Sequence, residues 1–122
     1  NEDGVEKFVE TAAHFQNDCP LTLLFSAVDD KDYTDMIHAI LDKISFRHVI
    51  VTQVGGYRKV PAEKLAEIFR KEGCPSAEVV ENAEEAFRKA LDTKGEDGML
   101  FCVGSLYLVG EIKTAILKGI GK

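Results

Sequence analysis

Hydrophobic residues alternate between helical spacing and short apolar runs, which predicts a succession of helices and strands along the chain. Residues 2–17 carry an apolar stripe at helical spacing, and Cys19-Pro20 ends that helix. Residues 21–27 form a mostly apolar run that is too short for a helix and favours a strand buried on both faces. The stripe of the first helix consists of Val5, Phe8, Val9, Ala12 and Phe15.

The same alternation continues through the rest of the chain. Further strands are predicted at residues 46–52, 77–80 and 98–103. Further helices are predicted at residues 32–44, from Pro61 to near Gly73, after an N-cap at Asn82, and from Gly104-Ser105 onward. Strict alternation of helices with apolar strands predicts one α/β domain over residues 1–122, a three-layer αβα, Rossmann-like arrangement around a mostly parallel sheet.

The composition and net charge of the chain exclude some classes of protein and disfavour others. The chain has 122 residues, of which 45% are hydrophobic and 30% charged, so it is neither a disordered tail nor a membrane protein. A net charge of -6 disfavours nucleic acid as a partner. Three widely spaced cysteines give no metal site and favour a reducing, cytoplasmic location, and Cys102 is predicted to be a small buried hydrophobe within an apolar run.

Candidate chemistry gathers in the loops that follow the predicted strands, because the carboxyl ends of parallel strands share one edge. These loops are residues 28–31, 53–60, 81–82 and 104–107. Together they offer aspartates, an arginine, and a serine beside free backbone amides, a mixed rim that could hold a zwitterion such as an amino acid. Each group also has a structural explanation, as a helix cap or a surface ion pair. No nucleotide-binding motif and no complete catalytic set is present.

Several ordered motifs resemble the C-terminal domain of folylpolyglutamate synthases and bifunctional dihydrofolate synthases, in the Mur ligase superfamily. Residues 104–111, GSLYLVGE, resemble the signature that closes this domain. Residues 25–33, FSAVDDKDY, resemble the family segment FGALKDKDY, and VIVTQ at 49–53 with Arg58 and Pro61 resembles a third segment. Asn1 resembles the last residue of the family motif DGAHN.

The resemblance implies a substrate-binding closure domain, a fragment of a longer enzyme that adds L-glutamate to folates through an ATP-made acyl phosphate. It implies that Ser105, Arg58 and Asn1 bind glutamate, with no catalytic residue in this chain. Residues 30–32 (Asp30, Lys31 and Asp32) would position the domain or contact its neighbour. ATP and magnesium would be held mainly by an N-terminal ATPase domain, the expected partner, so no cofactor is expected here.

The family strand that leads into DGAHN has no counterpart in the sequence, so the sheet is expected to lack one strand. The alternative function is a receiver-like signalling or interaction domain of flavodoxin-like fold, suggested by Asp29-Asp30 after the first strand. Whether the parent enzyme would make dihydrofolate, folylpolyglutamate or both depends on a folate pocket outside this chain.

Overall fold

The computed structural model describes residues 2–27, 33–54 and 60–103. Helices and strands alternate along these residues, as the hydrophobic pattern predicts. The helices are α1 (Glu2–Phe15), α2 (Tyr33–Lys43), α3 (Ala62–Lys71) and α4 (Ala83–Lys94). The strands are β1 (Leu21–Phe25), β2 (His48–Val51), β3 (Glu78–Val79) and β4 (Met99–Val103). The last predicted helix lies outside the described residues.

The four described strands form one parallel sheet in the order β3-β2-β1-β4. Strand β1 lies in the middle of the sheet and is fully buried, with Phe25 level with Val51 on one side and with Val103 on the other. From β1 the chain moves outward to β2 and β3, then returns across the sheet to place β4 on the opposite side of β1. The strand order therefore reverses between β1 and β4.

Helices cover both faces of this sheet, which confirms the three-layer αβα arrangement. Leu23 and Phe25 of β1 pack on one face with buried residues of α2 and α3, and Phe8 of α1 packs against the same cluster. Leu24, the residue between them, packs on the other face with α4. The successive side chains of β1 therefore alternate between two apolar clusters, which is why the sequence shows an apolar run. In the described part of the chain, no helix is long and apolar enough to cross a membrane.

Local capping chemistry sets the start of two helices. The Asn82 side chain accepts a hydrogen bond from the Glu85 backbone N–H at 2.9 Å, which confirms the predicted N-cap of α4. Pro61 is one residue outside α3 instead of its first residue, with φ -56° and an extended ψ of 131°. The helix begins at Ala62, whose amide donates to the side-chain oxygen of Gln53 at 3.0 Å. A glutamine eight residues upstream of the proline thus supplies the cap.

The prediction that Cys102 is buried is wrong, because the residue is exposed. In the described part of the chain β4 has a hydrogen-bonded neighbour only on the β1 side, so its residues are less buried than those of β1. An apolar run identifies a strand but does not say where the strand lies in the sheet. Although part of Cys102 is open to solvent, desolvation by the surrounding protein raises the pKa of its thiol to about 11.

We expect Cys102 to react slowly with iodoacetamide near neutral pH, because only the thiolate attacks. A pKa of about 11 instead of 9.0 lowers the thiolate fraction at pH 8 by about 100-fold. The more basic thiolate is roughly tenfold more nucleophilic, which offsets part of this loss. The folded chain should therefore react about tenfold more slowly than the unfolded chain, in a variant with Cys19→Ser and Cys74→Ser. A rate that levels off near pH 9 in the folded chain would contradict this prediction.

Candidate functional site

The carboxyl ends of β1 and β4 meet where the strand order reverses. Beyond the last paired residues, the backbone N–H of Ser26 donates to the carbonyl of Val103 at 3.1 Å, which holds the two strand ends together. In open α/β sheets, a crevice forms where adjacent strands lead their connections in opposite directions, and ligands bind there. The β1–β4 junction is therefore the candidate site in this fold.

The other side of β1 is closed by hydrogen bonds. The backbone N–H of Thr52 donates to the Phe25 carbonyl at 2.9 Å. The Thr52 hydroxyl donates to the Glu81 carbonyl at 3.1 Å, and the Val80 amide donates to the Val51 carbonyl at 3.0 Å. Because the carboxyl ends of β1, β2 and β3 are hydrogen-bonded to one another in this way, they form a continuous surface next to the candidate site.

Hydrogen bonds also bring together the ends of the loops predicted to carry chemistry. The Val60 amide donates to the Ala27 carbonyl at 3.3 Å, so the residue before segment 28–32 lies beside the residue after segment 55–59. The Ser26–Val103 bond adds the residue that precedes position 104. Three of the four loops predicted at the carboxyl edge thus begin or end within one small cluster of backbone bonds.

The predicted site residues themselves lie outside the described residues. This applies to the glutamate-binding candidates Ser105, Arg58 and Asn1 and to the positioning candidates Asp30, Lys31 and Asp32. The structure describes the chain next to each of the four segments concerned: Glu2 after position 1, Ala27 and Tyr33 around 28–32, Val54 and Val60 around 55–59, and Val103 before 104. The roles of the six residues stay predictions.

Ser26, which the sequence pattern does not single out, is the described polar residue next to the strand reversal. The predicted loop began at position 28, two residues after it. Ser26 is fully buried, and among the described residues its hydroxyl oxygen has no hydrogen-bond partner. A buried hydroxyl without a partner costs free energy, so such groups are uncommon in folded proteins. The signal in the sequence is its position near the end of a run that predicts a strand buried on both faces.

The N-terminus of α4 lies at the same edge and is already neutralised. Asn82 accepts from the first turn, and Glu84 and Glu85 place carboxylates near the positive end of the helix dipole. An additional anion there would meet negative charge. The described residues include no group of three or more histidine, cysteine or acidic side chains that could hold a metal ion.

A second concave surface lies away from this edge, on the outer side of α2 and at the end of α3. It encloses about 550 Å³ and is lined by His38, Ala39, Leu41, Asp42 and Glu72. His38 Nε2 lies 2.5 Å from a Glu72 carboxylate oxygen, a half-exposed pair that joins the two helices. Helices α2 and α3 both lead the chain back to the amino edge of the sheet, so this groove is separate from the candidate site.

Comparison with known proteins gives a consistent group of relatives. A family model described as "Mur ligase, glutamate ligase domain" matches residues 1–106. A probable bifunctional folylpolyglutamate synthase/dihydropteroate synthase of Halobacterium salinarum is 31% identical over 105 residues, which is 86% of this chain and 12% of that protein. The chain thus spans a small part of the curated relative.

Two solved structures are similar along nearly the whole chain. A folylpolyglutamate synthase from Thermotoga maritima is 30% identical with a TM-score of 0.72, covering 98% of this chain and 26% of that one. A bifunctional folylpolyglutamate synthase/dihydrofolate synthase from Yersinia pestis, complexed with AMPPNP and Mn ion, has a TM-score of 0.81 at 19% identity, covering 96% and 27%. The second likeness supports the fold alone.

Proposed function

Because this chain belongs to the Mur ligase family of glutamate ligase domains, we propose that it is the C-terminal substrate-binding and closure domain of an ATP-dependent ligase that adds L-glutamate to folates. The observation that carries the proposal is the family match over residues 1–106, joined by relatives of about 30% identity that are folylpolyglutamate synthases. The whole activity belongs to the longer protein of which this domain is a part.

The proposed chemistry divides the reaction between two domains. An N-terminal ATPase domain binds ATP and magnesium and transfers the γ-phosphoryl group to the folate carboxylate, releasing ADP. This domain holds glutamate so that its amino group, after losing a proton, attacks the acyl carbon and displaces inorganic phosphate. Holding two reactants in attack geometry supplies a large part of a rate enhancement of this kind. Fixed charges that face the developing negative charge supply more. This domain therefore needs binding groups and no nucleophilic side chain of its own.

The binding groups that we propose are Ser105, Arg58 and Asn1. A guanidinium and a hydroxyl suit the two carboxylates of glutamate, and an amide suits its ammonium or a carboxylate. Residues 30–32 position the domain against its neighbour. Support comes from the backbone bonds that join Ala27 to Val60 and Ser26 to Val103, because these bonds place the described residues that flank three of the segments concerned beside one another.

The receiver-like alternative finds no relative among the proteins that match this chain. A receiver also needs an aspartate after a later strand, and the residue that follows β2 is Thr52, whose hydroxyl is engaged with the Glu81 carbonyl. A phosphate-accepting carboxylate is therefore absent from the end of that strand.

The test is a ligation assay with the full-length protein. We expect ATP-dependent incorporation of labelled L-glutamate into tetrahydrofolate or dihydropteroate, with ADP formed in equal amounts. The choice between the two acceptors identifies the product. L-Aspartate and D-glutamate serve as controls, since the first shortens the spacing of the two carboxylates and the second reverses the configuration at the carbon that bears the amino group. ADP formation that is indifferent to L-glutamate, with no labelled product, would contradict the proposed function.

A further inference from the structure

Ser26 lies at the point in the sheet where a ligand crevice is expected. It directly follows the last residue of β1, and its amide ties β1 to β4 through the Val103 carbonyl at 3.1 Å. The strand order reverses between these two strands. Side chains alternate along β1, so Ser26 lies on the same face as Leu24, the face that carries α4.

Thr52 provides an internal comparison for Ser26. The two residues are level with each other, one step beyond the paired residues Phe25 and Val51, and both are 0% exposed. The Thr52 hydroxyl donates to the Glu81 carbonyl at 3.1 Å. The Ser26 hydroxyl, by contrast, has no partner among the described residues. The two hydroxyls are therefore equally buried and at the same level of the sheet, but that of Thr52 is hydrogen-bonded and that of Ser26 is not, among the described residues.

We infer that the Ser26 hydroxyl donates a hydrogen bond to an anionic oxygen of a bound substrate, in the crevice expected beyond the carboxyl ends of β1 and β4. This inference rests on the proposed function and adds a binding residue to it. A hydroxyl without a protein partner is a donor that folding leaves unused, and a hydrogen bond to a charged oxygen is stronger than one between neutral groups. The oxygen belongs either to a carboxylate of the amino-acid substrate or to a phosphate.

The experiment compares Ser26→Ala with Thr52→Val in the full-length protein. For each variant, the KM for L-glutamate, the KM for ATP and the melting temperature are measured. Ser26→Ala removes a hydroxyl that has no partner in the described part of the chain, so we expect a melting temperature that is unchanged or higher. We also expect the KM of one substrate to rise about tenfold. Thr52→Val removes a satisfied hydroxyl, so it should lower the melting temperature and leave both KM values within about twofold.

The pattern of KM values identifies the source of the anionic oxygen. A rise confined to L-glutamate assigns a carboxylate, and a rise confined to ATP assigns a phosphate. Unchanged KM values in Ser26→Ala, or equal rises in both together with a lower melting temperature, overturn the inference. The proposed function fails separately, through absence of glutamate ligation in the unmodified protein. Ser26→Cys, which keeps the volume and donates weakly, should give an intermediate KM.

Discussion

Replacing Phe69 by alanine is expected to lower the free energy of unfolding by about 3–5 kcal/mol. The Phe69 side chain is 0% exposed and lies in the cluster that joins α3 to the sheet. Its ring meets that of Phe25 edge to face, with 5.3 Å between centroids and an angle of 74° between planes. Truncation therefore removes buried apolar area, leaves a cavity and breaks a favourable aromatic pair.

Urea denaturation followed by circular dichroism measures this loss. Glu67→Ala is the matched control, because Glu67 is exposed on the same helix and should change stability by less than about 0.5 kcal/mol. A loss below about 1 kcal/mol for Phe69→Ala would contradict the packing described for this face. The result also concerns the candidate site, because Phe25 directly precedes Ser26 and its contact with Phe69 fixes the end of β1.

Local chemistry explains why the helices and strands could be predicted from the sequence. Residues 21–25 of the predicted run form β1, which is buried on both faces, so nearly every side chain has to be apolar. Asn82 and Glu85 are three residues apart, which is the spacing of a capping hydrogen bond. Such signals depend only on residues within one turn of helix or one strand, so they can be recognised before the fold is known.

Signals between distant residues could not be predicted in this way. Strand order decides that β4 lies beside β1 and that Cys102 is exposed, and no feature of residues 99–103 encodes that order. The side chain of Gln53 accepts a hydrogen bond from the Ala62 amide, nine residues further along the chain. The helix begins at Ala62 and not at the predicted Pro61. The pairing of His38 with Glu72 likewise depends on how α2 packs beside α3.

In the candidate site, too, some features could be predicted from the sequence and others could not. A parallel α/β sheet predicts that the four loops meet at one edge, and the Ala27–Val60 and Ser26–Val103 bonds confirm this for the ends of three of them. The roles of Ser105, Arg58 and Asn1 came from resemblance, and they stay predictions. Ser26 could not be predicted as a site residue, because the sequence does not show whether a serine hydroxyl has a hydrogen-bond partner in the folded chain.

Ser105→Ala in the full-length protein is the second variant for which we expect a large effect. A hydroxyl that donates to a substrate carboxylate contributes through a charge-assisted hydrogen bond, so its loss should raise the KM for L-glutamate roughly tenfold to a hundredfold. The KM for ATP should change by less than about twofold, because the nucleotide is bound by the other domain in this account. Ser76→Ala, at an exposed turn position, is the control and should leave both values unchanged.

The ratio of these two KM changes tests most directly whether this domain holds the amino acid while another domain holds the nucleotide. Initial rates of ADP release at varied L-glutamate and at varied ATP give both values from one preparation of Ser105→Ala. If this division of roles is right, the KM for L-glutamate rises at least about fivefold more than the KM for ATP. Equal changes in the two values, or a change confined to ATP, would contradict it.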